Sequence, residues 1–456
     1  MPPVPSMAKP PTSPVSRIAR LGGLTSRISG SYLGQRIAGV FQDEETRESA
    51  LRKLHLENAE RVVETMGALK GAAMKVGQSL AQVVDGMDLP PEMASILGKL
   101  NNKAQPVPFD LIRRSVEAEL GAPLAELFAD FDPEPLGTAS LAQAHAARLK
   151  SGERVVVKVL HEGIEKSVDA DLAALKSILI TGRVLNRDKE EIDAIFDEIR
   201  HRLGEELDYF QEAANLEFFK KALARFDGVE IPGTHPQFCT GRVLTMDRLT
   251  GASLDDFLPT ATPEARQRAG TLLVEAFHDM VYRLRAVHAD PHGGNYLFRK
   301  DGGIGILDFG CVKRFDPYWI ANYARMARAA VWPDPPTFFS MAREIDVLRG
   351  DDADAKDLLW RLSQAIVAPL QMPEVQAGGA QDQVLLNVKA LVPQVLRHRT
   401  VRGPRDLIFL HRALGGTHAM LRRLEHRYPY QALFDRTSRH AIAVAEGRVA
   451  DGSLPL

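Results

Sequence analysis

Lys158, Asp290, Asn295 and Asp308 are, in that order, the residue types that phosphoryl transfer requires. The reaction asks little covalent help of a protein. It needs a cation on the phosphates, oxygens that hold a metal, and a carboxylate that orients the nucleophile. Lys158 sits in Val155-Val156-Val157-Lys158-Val159, a strand-like run in which a lysine is costly to bury unless a carboxylate or phosphate meets it. Asp290 and Asn295 bracket Asp290-Pro291-His292-Gly293-Gly294-Asn295, the D-x-x-x-x-N spacing that supplies a catalytic carboxylate and a metal ligand from one loop. Asp308-Phe309-Gly310 follows an apolar run, as a metal-binding DFG does. Each feature alone is weak, since a lone strand lysine is usually an edge residue that snorkels. Their joint order is much harder to reach by accident.

The flanking sequence says which elements must position them. Valines alternate through 153–160, and with 140–150 they flank Ser151-Gly152, a hairpin signature. Apolar residues at spacings near three and four predict helix over 44–84, ended by Pro90 and Pro91, and a helix pair over 110–128. Further helices are expected across 162–224 and short strands near 229–231 and 241–246. A long amphipathic helix over 262–287 should lead into His288-Ala289-Asp290, with a strand at 305–308 and helices after Pro317. This order predicts an α+β chain with a small β-rich lobe and a large α-rich lobe. The divisions fall at 1–42, a basic disordered segment; 43–130, a helical extension; 131–250, the β-rich lobe with inserted helices; and 251–456, the helical lobe.

Composition narrows the class. With 45% hydrophobic and 25% charged residues over 456 positions, the chain reads as globular and long enough for two or three modules. A formal net charge of −2 gives no reason to expect a nucleic-acid partner. Cys239 and Cys311 are the two cysteines, which points to a reducing, cytoplasmic compartment. No run approaches the roughly 18 apolar residues that span a bilayer. Residues 1–42 contain no acid but carry Lys9, Arg17, Arg20, Arg27 and Arg36, interleaved with apolar and small residues. That segment is a flexible basic arm, a peripheral contact with an anionic membrane face, or a transit peptide.

Four motifs together resemble one family. Lys75-Val76-Gly77-Gln78, Glu206-Leu207-Asp208, His288 to Asn295 and Asp308-Phe309-Gly310 are similar to the signature set of the UbiB/AarF/ADCK (Coq8-like) atypical kinases, over nearly the whole chain. The resemblance implies a bilobal protein-kinase-like fold with a K-x-G-Q helical extension, use of ATP or ADP with Mg²⁺, and support of isoprenoid quinone (ubiquinone-type) biosynthesis. It implies Lys158 as the phosphate-binding lysine with Glu212 as its partner, or Glu206 in its place. Asp290 becomes the catalytic aspartate, and Asn295 and Asp308 the metal ligands. Lys75, Gln78, Glu206 and Asp208 become regulatory residues beside the site. Gly137, Thr138, Ala139 and Ser140 would form the nucleotide loop, and Met246, Asp247 and Leu249 the hinge that meets adenine between the lobes.

Two departures stand out. The family's alanine-rich loop is here Gly137-Thr138-Ala139-Ser140, and Gly294 stands where bacterial members usually have proline. After Gly310 only a few residues precede Pro317, with no A-P-E. A kinase for protein substrates needs that platform, so ATP hydrolysis or a small-molecule acceptor, such as a quinone-precursor phenol, is expected. Two other readings compete. One is a nucleotide-sensing, lipid-binding scaffold. The other is a metal-dependent hydrolase using His288, Asp290 and His292, which leaves Lys158, Asn295 and Asp308 without a role.

Overall fold

The computed structural model describes residues 106–453 apart from 140, 166–167, 170, 174–175, 177–188, 290, 380–381, 396–397, 399 and 402, together with positions 23, 27, 30–31, 50, 53–54, 57–58 and 60–61. In chain order its main elements are α1 (Phe109–Leu120), α2 (Leu124–Leu127), β1 (Phe128–Thr138), β2 (Ala142–Leu149), β3 (Arg154–Leu160), α3 (Lys189–Glu206), α4 (Tyr209–Leu223), β4 (Val229–Glu230), β5 (Val243–Asp247), α5 (Leu254–Phe257), α6 (Pro263–Asp279), β6 (Ala286–His288), β7 (Tyr296–Phe298), β8 (Ile304–Ile306), β9 (Val312–Arg314), α7 (Pro317–Val331), α8 (Pro335–Glu344), α9 (Ala353–Val367), β10 (Val375–Gln376), α10 (Val384–Val395), α11 (Arg405–Arg423), β11 (Arg427–Tyr428) and α12 (Tyr430–Ala445). They divide into two units. The first is Met1–Phe210 with His235–Met246, and the second is Gln211–Thr234 with Asp247–Leu456.

The first unit is built on a sheet in the order β1-β2-β3-β5. Val155, Val157 and Val159 lose all contact with water and pack against Ile112 and Val116 of α1 and Phe128 at the start of β1. The period of two in β3 therefore puts Lys158 on the opposite face from these valines. β2 and β3 pair antiparallel, Ala144 opposite Lys158. The turn between them uses Gly152 at φ +104, a conformation a side chain would strain. The hairpin forms as its sequence predicts. β1 was not anticipated, because Pro133 and Pro135 remove ladder donors. It exists because it is an edge strand, where proline is tolerated, and its pairing with β2 shifts register around Pro135.

The second unit carries most of the helices and two small strand groups, β4-β8-β7 and β6-β9. α6 starts where Thr262 accepts the Ala265 N–H and Pro263 follows at the first helical position. The helix predicted over 262–287 stops at Asp279. A π-helical turn, Met280–Leu284, follows, then Arg285 at φ +51, and the chain becomes β6. A buried ion pair fixes this change of course. Arg283 Nε donates to Asp279 at 2.8 Å, and its Nη2 donates to the Ala222 carbonyl at the end of α4 at 2.8 Å. β10 and β11 form one further short antiparallel pair in the stretch expected to be helical throughout.

Candidate active site

Two strand pairs bring the loop residues 291–295 to the Asp308-Phe309-Gly310 motif. On the entry side β6 pairs with β9, which follows the motif, with His288 opposite Val312. The Ala289 N–H then donates to the Cys311 carbonyl at 2.9 Å. On the exit side β7 pairs with β8, which precedes the motif, with Tyr296 opposite Ile306. The Leu307 N–H continues this ladder by donating to the Asn295 carbonyl at 2.9 Å. Asn295 and Asp308 thus leave the same end of one hairpin. Asp308 is half-buried, and its Oδ1 accepts the Gly310 N–H at 3.0 Å.

α4 closes on the same motif within the second unit. Phe219 and Phe309 are both fully buried and stack with ring centroids 4.3 Å apart. One turn earlier, Asn215 Nδ2 donates to the Phe309 carbonyl at 3.0 Å. One more turn back is Glu212, only 3% exposed. A Cβ placed on Gly310 would lie 3.5 Å from Glu212 Oε2 and 3.5 Å from Asp308 Oδ1, so the two carboxylates converge on this glycine. Side chains at 212, 215 and 219 share one helical face. Two carboxylates that reach toward the same residue favour a cation near them. Asn295 and Asp308 offer amide and carboxylate oxygens, the hard donors that suit Mg²⁺.

The first unit holds Lys158, half-buried on β3, with its Nζ 5.6 Å from the centroid of the Tyr209 ring. Gly137 and Thr138 pair with Ala144 and Gln143, and the Ala139 N–H donates to the Ala142 carbonyl at 2.8 Å. The expected nucleotide loop is therefore the β1–β2 hairpin turn. Glu206 ends α3. Asp208 is exposed, and its Oδ1 accepts the Phe210 N–H at 3.0 Å at the start of α4. Met246 is buried in β5. In the second unit, Asp247 accepts the Gly233 N–H at 2.8 Å and Lys220 Nζ at 3.3 Å, and Leu249 packs over Gly305 of β8. Lys75, Gln78, Ser140 and Asp290 lie outside the described residues.

The loop's histidines have structural work. His288 is 2% exposed and lies between Tyr296, to which it is nearly parallel, and Phe309. The Gly294 N–H donates to His292 Nδ1 at 3.1 Å, and a Cβ at Gly294 would meet the same ring at 2.8 Å. A proline there would remove that donor. Tyr209, Asn215 and Phe219 were not singled out from sequence. The available signal was their helical spacing around Glu212, which also suits an ordinary core helix.

Comparison with known proteins identifies the family and the fold. Residues 99–341 match the ABC1 atypical kinase-like domain. The yeast protein "Atypical kinase COQ8, mitochondrial" is 27% identical over 417 residues, covering 91% of this chain and 82% of the relative. Its Caenorhabditis elegans counterpart is 26% identical, covering 94% of this chain and 56% of the longer worm protein. Mouse AarF domain-containing protein kinase 1 is 31% identical across 70% of this chain and 61% of its own length. Among solved structures, the Mycobacterium tuberculosis protein Rv3197, in complex with erythromycin, superposes with a TM-score of 0.59 at 26% identity, covering 86% of this chain and 98% of that one.

Proposed function

Because this chain belongs to the ABC1 atypical kinase-like family, we propose that it uses Mg–ATP as an ATPase or small-molecule phosphotransferase, in support of isoprenoid quinone biosynthesis at a membrane surface. The convergence of Glu212 and Asp308 on Gly310, beside the hairpin end that carries Asn295, is the observation that carries this reading. Asp308 and Asn295 would hold the metal. Mg²⁺ bound there would neutralise charge on the transferring phosphoryl group. Lys158 would hold the phosphate oxygens with its ammonium. Asp290 accepts the proton of the attacking hydroxyl or orients a water.

A small acceptor is favoured because the described residues that follow Gly310 form no extended platform for a peptide. From Gly310 it enters β9, the Phe315 N–H donates to the Arg285 carbonyl at 2.8 Å, and Asp316 already caps α7 by accepting the Tyr318 and Trp319 N–H groups. Residues 1–42, mostly outside the described residues, supply the basic and apolar side chains for a peripheral membrane contact. None of the helices among the described residues is long and apolar enough to cross a membrane.

Calorimetry with Mg–ADP and Mg–ATP tests the metal assignment. Asp308→Asn should weaken Mg-dependent nucleotide binding by about tenfold or more, roughly 1.4 kcal/mol. Binding like that of the wild-type protein would remove Asp308 from the metal site. ATP turnover with and without anionic vesicles and quinone-precursor phenols then separates an enzyme from a nucleotide-sensing scaffold.

A further inference from the structure

Gly416 lies well inside α11, beyond the segment that matches the kinase-like domain. A Cβ added to it would come 2.4 Å from the Pro291 carbonyl oxygen and 2.9 Å from Pro291 Cγ. Real side chains do not approach a carbonyl that closely, so the helix and the loop touch only because residue 416 has no side chain. Its neighbour Gly415 meets nothing within 4 Å. The two adjacent glycines therefore differ in what they permit.

α11 is anchored along its length, and little space is left beside Pro291. α11 is tied at its start by Lys313 Nζ to Asp406 at 2.6 Å, at mid-length by His411 to the Tyr323 hydroxyl at 3.2 Å, and near its end by His418 to buried Asp382 at 3.0 Å. On the loop side, the cleft lined by Pro291, His288 and Thr417 has about 10 Å³ of free space, no more than one water occupies. Pro291 directly follows Asp290 in the chain.

We propose that Gly416 is a positioning residue for the Asp290–Asn295 loop, and that α11 serves as the template against which that loop is set. The inference rests on the phosphotransfer reading of the loop, but it concerns a helix which that reading does not use. A displacement of Pro291 would be passed to the residue before it in the chain, and a misplacement of a reacting group near 1 Å costs about 100-fold in rate.

The test compares Gly416→Ala with Gly415→Ala in the full chain, by ATP turnover and by hydrogen exchange of the peptide spanning 288–298. Gly416→Ala should lower kcat by about tenfold or more, leave KM for ATP nearly unchanged, and speed exchange at the loop amides. Gly415→Ala should change neither. Wild-type kcat and loop exchange in Gly416→Ala would overturn the proposal, as would equal changes in both variants. If Gly416→Ala does not fold, Asp406→Asn frees the start of α11 without adding atoms, and unchanged loop exchange in that variant would overturn it. If the wild-type protein turns over no ATP, the phosphotransfer reading fails, while the exchange comparison still decides the role of Gly416.

Discussion

Glu212 is an acid with almost no access to water, and it sits where a second carboxylate, Asp308, is within reach of the same glycine. Burial raises the cost of its charge, so a cation near it restores the balance. Glu212→Gln keeps the shape and removes the charge. ATP turnover should fall about tenfold to 100-fold while the melting temperature stays equal or rises. Lys158→Met tests the proposed phosphate-binding lysine. Loss of one preorganised positive donor should lower kcat by about 100-fold or more, with circular dichroism unchanged. Equal kcat in the variant and the wild-type protein would show that Lys158 is only a snorkelling strand residue. Lys158, Asn295 and Asp308 could be singled out in the sequence because their motif spacing matches what phosphoryl transfer asks for, and their roles here are part of the proposal. Asn215 was not, because its task is to donate to the Phe309 carbonyl, and a backbone acceptor leaves no trace in residue types.

α4 connects the candidate site to the core of the second unit. Its Phe219 stacks on the phenylalanine of the Asp308-Phe309-Gly310 motif, so helix and motif share one buried contact. Phe219→Ala should destabilise the protein by about 3–5 kcal/mol and weaken Mg–nucleotide binding together with it. Phe219→Leu should recover most of the stability. Chemical denaturation, followed by calorimetry on each variant, checks both. The elements themselves were unevenly readable. β3 announced itself by alternating valines, and α6 by its Thr262-Pro263 start. The end of α6 was hidden because Val281, Tyr282 and Leu284 continue an apolar helical pattern. The π turn is stabilised instead by the Asp279–Arg283 pair and its bond to Ala222, a contact 61 residues away in sequence. β1 was hidden because proline and acid signals outweigh strand signals when the strand lies at an edge.

Across the molecule, several histidines are held neutral. Burial, reinforced by the charge of Arg436, pushes His278 down to about 3, and burial pushes His426 down to about 4. Both hydrogen-bond as neutral rings should: His278 Nδ1 meets Thr437 Oγ1 at 3.0 Å, and His426 meets the Tyr430 hydroxyl at 2.9 Å and Thr271 Oγ1 at 3.1 Å. An unfolded histidine titrates near 6.5, so above that pH both states are neutral and stability is full. Below it the unfolded chain takes up protons that the folded one refuses. Stability therefore falls from about pH 6.5 down to about pH 4 and 3, by a few kcal/mol for each ring. Urea midpoints measured from pH 7 to pH 4 should decline, and less steeply in His426→Gln. A slope unchanged by that substitution would mean His426 protonates without cost in the folded protein. The outer edge of the first unit's sheet bears on a different property, behaviour at high concentration. Along β1, Pro133 and Pro135 have no N–H, and the Glu134 N–H is already given to Asp132 Oδ1 at 3.0 Å. Three consecutive positions thus have no donor to offer a strand from a neighbouring molecule, and Asp130, Asp132 and Glu134 add like charge along the same stretch. An edge so equipped resists end-on stacking into fibrils. Replacing Pro133 and Pro135 together with valine should leave the folded sheet in place yet make heated samples scatter light sooner and bind amyloid dyes.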